Sequence, residues 1–324
     1  MDSAHKATDK ALTALERRIH DVYREAQRDL EAKTEDFWRR HEAKDRIYRQ
    51  KLADGEITED QYRAWLRGQV FQGEQWESKL AQITATLTNA DRVAQSLING
   101  EIYGVFANNA NWMAYTMEHG LGLNFGFGLY DPGTVARLLK QDPDLLPRYK
   151  LDIPKDRRWN QKQVTRQITQ GIIQGEPLEK IAKRLENVTD HDENLCRTRA
   201  RTAMTGAQNA GRMDTIKRAE GMGIRTRKEW LATLDGHTRF SHASLDGQTV
   251  DADKPFKSEL GDIMYPGDPH AHPANVYNCR CTMIADVVDF PDEYKAERYD
   301  NIDGKPIAGM TYREWEDAKR AGNG

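Results

Sequence analysis

Apolar residues recur at every third and fourth position along the first part of the chain, a spacing that predicts long helices with one buried stripe. Leu12, Leu15, Ile19, Val22, Ala26 and Leu30 draw such a stripe within residues 1–53, and Glu, Asp, Lys and Arg fill the other faces. Asp54-Gly55 marks a turn. Thr58 and Gln61 have the spacing of a capping box at the start of the next helix. That second long helix carries Leu80, Ile83, Leu87, Ala90, Ala94 and Leu97 in register, and a third helical stretch covers residues 101–119. Two long helices across a short turn are expected to pack antiparallel, as a hairpin.

The pattern breaks at residues 120–133, GLGLNFGFGLYDPG. A phosphate cradle would need a following Lys or a G-K-[ST] step, which is absent, so this is a turn region. Shorter helices are expected beyond it: residues 134–140, then residues 160–174 with Asn160 as cap and Val164, Ile168 and Ile172 on one face, then a helix from Pro177 to near Glu186. A longer one, residues 194–220, stops at Gly221-Met222-Gly223. This last helix has few large apolar residues. Its Ala and Gly positions let other elements approach closely, and Thr198, Thr202, Thr205, Gln208 and Asn209 need partners if buried. Residues 230–234 and 282–288 read as strands. A polar connector follows, then a short helix with Thr311 and Glu314 as its cap and Trp315 as its anchor. The expected fold class is mainly α with a small α+β C-terminal module. The expected division is a helical hairpin or bundle (1–119), a Gly/Pro-rich connector (120–159), a module (160–290) and a tail (291–324).

Composition agrees with extended, wet helices. Of 324 residues, 38% are apolar and 31% charged, below and above the usual shares. A net charge of −3 gives no whole-chain case for nucleic acid. A local case exists. Residues 197–228 hold nine Lys or Arg against Asp214 and Glu220. Arg197, Arg199, Arg201, Arg212, Lys217 and Arg218 are the candidate contacts to duplex DNA. The plain alternative is a basic surface balanced by the acids Asp286, Asp289, Asp292, Glu293, Glu297, Asp300 and Asp303. Three cysteines argue against a disulfide scaffold and for a reduced cytosolic protein. No apolar run reaches the roughly 18 residues of a membrane span, and no signal-peptide core opens the chain, so a soluble protein with no membrane partner is expected.

Chemistry concentrates between residues 230 and 285. Four of nine histidines lie there (His237, His242, His270, His272), followed by Cys279-Arg280-Cys281. Thiolates two apart on a strand point to one face, and an imidazole or two would complete a tetrahedral zinc-like site. His242, Cys279 and Cys281 are the favoured ligands, with His270 and His272 competing for the fourth place and Asp235 or Asp268 as further options. One zinc ion is therefore the candidate cofactor. The spacing matches none of the common zinc-finger patterns. The alternative is a buried polar network without ligand, in which Asp235, Thr238, Arg239, Asp246, Asp268 and Arg280 fix the loops. There Arg239 and Arg280 each clamp Asp246 or a loop carbonyl.

The order Lys228-x-Trp230, Asp235, Thr238-Arg239, His242, Leu245-Asp246-Gly247, Tyr265-Pro266-Gly267-Asp268 and Asn278-Cys279-Arg280-Cys281 resembles the C-terminal signature of the phage Mu F-like minor head, or head-morphogenesis, proteins. The preceding helix, with Arg199, Met204, Gly206 and Asn209, is similar to the helix that leads into it; the similarity spans roughly residues 160–288. The resemblance implies a structural minor head protein of a tailed bacteriophage. It would associate with portal and head proteins, act in head assembly and handle packaged DNA, first in the bacterial host cytoplasm and then in the virion. It also places His242, Cys279 and Cys281 at the family's recurring polar positions. No catalytic residue is expected on this reading. The competing function is a metal-assisted hydrolase or nuclease built on residues 230–285.

Overall fold

The computed structural model describes residues 2–71, 74–121, 125–143, 146, 153–235, 237–288 and 312–322. The helices are α1 (Ser3–Ala53), α2 (Glu59–Phe71), α3 (Glu74–Leu121), α4 (Pro132–Gln141), α5 (Ile153–Ile173), α6 (Leu178–Gly221), α7 (Phe240–Ala243), α8 (Pro273–Val276) and α9 (Tyr312–Gly322). The strands are β1 (Thr226–Leu231), β2 (Thr249–Asp251), β3 (Phe256–Ser258), β4 (Gly261–Ile263) and β5 (Thr282–Val287). The fold is thus mainly helical with a few short antiparallel strands near the C-terminus, the class that the periodicity predicts.

Two compact units divide the chain: residues 1–15, 98–149 and 198–324 form one, and residues 16–97 and 150–197 the other. In the second, α1 and α3 run antiparallel: the Tyr23 hydroxyl donates to Asp91 (2.6 Å) and Lys33 to Thr86 (2.9 Å). The turn after α1 uses Gly55 at φ 74°, and the Thr58–Gln61 box closes with bonds of 2.8 and 3.2 Å. Leu30, Leu66, Leu80, Ile83, Leu87, Val164, Ile168, Ile172, Ile181 and Leu185 form this unit's apolar core.

Several helix boundaries differ from the expectation. The second helix ends at Phe71, and the expected second and third stretches join in α3. Gly100 and Gly104 do not interrupt it, because Ile98, Ile102, Val105 and Phe106 continue the buried stripe. That burial outweighs a cost of about 1 kcal/mol per helical glycine. Asn160 is no cap: α5 begins at Ile153, and the Asn160 amide donates to Asp91 at 3.0 Å. Residues 177–186 and 194–220 merge in α6, where Val188, Thr189, Asp192 and Glu193 are buried across the expected break. The Thr311 cap and the acids from Asp289 to Asp303 lie outside the described residues. Trp315 on α9 does anchor that helix, its indole N–H donating to Glu118 at 2.6 Å.

In the first unit β1 is the centre of an antiparallel sheet ordered β2-β1-β5, and β3 pairs with β4 as a hairpin. Trp230, Leu245, Phe256, Ile263, Cys279 and Cys281 make its small core. The outer edge of β5 would expose unpaired backbone groups; side chains of α6 cover it instead. Asn209 donates to the Cys281 carbonyl (3.1 Å) and accepts the Met283 N–H (3.2 Å). Arg212 donates to the Met283 carbonyl (2.9 Å), and Gln208 to the Thr282 hydroxyl (2.8 Å). The polar, small-residue half of α6 therefore finds its partners in the strand edge.

Candidate metal centre

Three elements bring the centre together. β1 places Trp230 inward, and its ring meets His242 (5.6 Å) and Phe256 (5.3 Å) edge to face. The short helix α7 carries His242, which is 2% exposed. The approach to β5 supplies Cys279 and Cys281, each also 2% exposed. Asn278 makes the corner before them at φ 57°, a left-handed conformation that Asn tolerates better than most residues. Its N–H donates to the Thr202 hydroxyl (2.8 Å), and the Thr205 hydroxyl donates to the Cys279 carbonyl (2.6 Å). The cysteine turn is thus fixed onto α6.

His242 Nδ1 lies 3.6 Å from Cys279 Sγ and 3.6 Å from Cys281 Sγ. One ligand atom from each residue falls within 4.8 Å of the other two. The two thiols divide their acidity: Cys281 is pushed down, first by the Cys279 thiol and then by His242, whereas Cys279 is pushed up by that same contact and by burial. One sulfur is thereby prepared as a thiolate, the form that binds metal. A cavity of about 60 Å³ adjoins the three groups, with Thr233, His237, Thr238 and Arg239 among its walls. It has room for a few water molecules, far below the roughly 300 Å³ where small-molecule pockets begin.

The other candidates stand apart from the cluster of three. His270 is exposed and faces Asp268 at 3.2 Å. His272 caps α8 by accepting the Ala274 N–H. Asp268 is buried, but it accepts the N–H groups of Met264 (3.1 Å) and His270 (2.9 Å).

The polar groups around the centre hold loops. Arg280 forks onto Asp235 with bonds of 2.5 and 2.6 Å, which, with the His237 N–H, holds that carboxyl well below the usual range. Thr238 donates to the Thr233 carbonyl and to Asp235. Arg239 donates to the carbonyls of Ala274 (2.8 Å) and Tyr277. Asp246 is clamped by neither arginine: it accepts the Ala232 N–H at 2.8 Å. The nearer acid to Arg280 is Asp235, because the turn at Asp235 folds back across the cysteine segment.

The six basic candidates are not one surface. Arg212 is fully buried, bonded to Asp2, Asn109 and Met283. Arg197 pairs with Glu16 (3.5 Å) and Glu193 (3.7 Å). Arg218 lies over the rings of Phe127 (5.3 Å) and Tyr130 (4.7 Å). Arg201 bonds Asn278 at 3.1 Å, Arg199 is half-buried, and Lys217 is exposed.

Sequence reasoning missed His237 as a neighbour of the centre, the positioning role of Asn278, and that of Gly267, whose backbone packs against Gly206 of α6. An Asn directly before the Cys-x-Cys pair, and a Pro-Gly-Asp turn, were the available signals.

Residues 162–284 match the family described as Phage Mu protein F like protein. The chain is 25% identical over 318 residues to the minor head protein GP7 of Bacillus phage SPP1, covering 98% of this chain and 96% of that one. It is also 28% identical over 205 residues to an NAD(+)--arginine ADP-ribosyltransferase of Enterococcus faecalis; that match covers 62% of this chain but only 40% of the relative. No solved structure matches at comparable significance.

Proposed function

With the chain belonging to the phage Mu F-like minor head proteins, we propose that it works as a portal-associated, non-catalytic part of the head that also meets the packaged DNA. The observation that carries this reading is the end-to-end similarity to a minor head protein. The geometry supports it. Polar side chains of the C-terminal module bond to its own backbone and to one another, and the cavity at its centre is about 60 Å³.

Contact with a portal subunit falls to exposed apolar side chains of the same module. Phe240 is 73% and Tyr277 52% exposed. They flank Arg239, which is half-buried and bonds the Tyr277 carbonyl. Aromatic anchors beside an arginine are the usual core of a protein interface. The DNA role is left to Arg199, Arg201 and Lys217, a weak electrostatic footprint with a shallow salt slope.

The test is co-purification with the cognate portal protein and incorporation into assembled heads. The wild-type chain binds, and the Phe240→Ala/Tyr277→Ala pair reduces binding at least tenfold with the melting temperature unchanged. A wild-type chain that binds neither portal nor heads overturns the reading. One observation favours a second reading: three metal donors with the fourth direction open resemble a catalytic zinc site. Nuclease and peptidase assays with zinc, magnesium and manganese decide against it if all stay at background.

A further inference from the structure

We infer that His242, Cys279 and Cys281 form a structural zinc site whose fourth ligand is His237. Such a site would hold the loops of the module whatever the chain does in the head.

The spacing of the donors carries it. Zinc takes thiolate at about 2.3 Å and imidazole at about 2.0–2.1 Å, and the tetrahedral angle then sets N and S about 3.6 Å apart. His242 Nδ1 stands 3.6 Å from both sulfurs. A hydrogen-bonded cluster alone has no need to hold one nitrogen equidistant from two thiols. The donor set of two soft sulfurs and one imidazole suits zinc over calcium or magnesium. Charge agrees as well: two thiolates neutralise a divalent cation, so the group can be buried in an apolar core beside Trp230 and Phe256 without a net charge. Binding displaces the remaining thiol protons to solvent, which makes affinity rise with pH.

The backbone is prepared for such a centre. The Cys281 N–H already points at Cys279 Sγ (3.4 Å), a contact that orients a metal-bound thiolate. Asn278 sets the corner, and Thr205 and Asn209 hold the carbonyls of Cys279 and Cys281. The ring of His242 is fixed by Trp230.

The small cavity adjoins the three donors, and His237 lines its wall; its ring stands outside the cluster of three here, so a turn of that exposed side chain would bring it to the metal. Its turn is held by Asp235, which accepts the His237 N–H at 2.9 Å and is itself locked by Arg280. The Arg280–Asp235 fork therefore tethers the His237 turn to the segment before β5 that carries the thiols, so ligands from both ends of the module are tied together.

Elemental analysis of the full chain, purified with zinc and desalted, tests the site. One zinc per chain is expected, falling below 0.2 in Cys279→Ser and His242→Asn. Because those variants can lose the module's fold, cobalt(II) is added to wild-type apoprotein as a second measurement. A near-ultraviolet thiolate-to-cobalt charge-transfer band and tetrahedral visible bands are expected. No zinc and no such bands in the wild type overturn the site. His237→Asn lowers zinc affinity at least tenfold and alters the visible cobalt bands; an unchanged spectrum and affinity overturn the place of His237.

Discussion

Gly267 presses on Gly206 so closely that a Cβ on Gly267 would lie 2.8 Å from the Gly206 Cα and 2.8 Å from its N. The loop between β4 and α8 is seated on α6 at this point, with no side chain on either partner. Gly267 also has φ 82°, so Gly267→Ala meets both a left-handed strain of 1–2 kcal/mol and backbone atoms that cannot move aside. The expected loss is about 3 kcal/mol or more by urea unfolding. Gly247→Ala is the control: at φ 74° with nothing within 4 Å, it loses about 1 kcal/mol.

Asn209 closes the β5 edge from the middle of α6. Asn209→Ala leaves the Met283 N–H and the Cys281 carbonyl buried without that partner, at roughly 2–3 kcal/mol. The amide protons of β5 then exchange faster, by hydrogen exchange, while those of α5 do not change.

Arg212 bonds Asp2 with two contacts of 2.8 Å from a fully buried position. Burial pushes the Asp2 carboxyl up, but the Arg212 hydrogen bonds and charge outweigh it and the net direction is down. A depressed carboxylate contributes stability above its unfolded value of 3.8, and loses it as pH falls through the lower folded value. Asp2→Asn therefore weakens the chain at pH 6 and flattens the acid limb of its stability curve. Arg212→Ala costs about 3 kcal/mol at neutral pH, since Asp2, Asn109 and the Met283 carbonyl lose a shared donor.

Lys228 points into the core from β1, its ammonium 2.8 Å from the Met264 carbonyl and 5.3 Å from the centre of the Phe256 ring. Burial pulls it down from 10.5 to about 8. The folded chain sheds this proton before the unfolded chain does, so stability rises with pH between about 8 and 10.5. Within that window each pH unit adds up to about 1.4 kcal/mol. Below it the contribution is flat. Chemical unfolding at pH 7.5 and 9.5 shows the rise in the wild type and its absence in Lys228→Met.

Local sequence pattern determined the helical class, the turn at Gly55 with its Thr58–Gln61 box, and a strand at either end of the chemical stretch, because each follows from neighbours within a few residues; the first strand runs Thr226–Leu231 where 230–234 was expected, its pairing with β2 and β5 setting the bounds. It also singled out a polar, small-residue helix in want of partners. Tertiary structure decided the rest. Helix lengths escaped the pattern at Gly100 and Asn160, where burial against distant residues overrides local signals. The partner of Arg280 was a matter of which acid the loop folds back upon, Asp235 or Asp246. Arg212 reads as one more surface cation in the sequence, and only its burial beside Asp2 and β5 removes it from solvent. The meeting of His242 with two sulfurs 37 and 39 positions away has the same cause: a loop's path across a core is set by packing over long separations, which residue spacing does not encode.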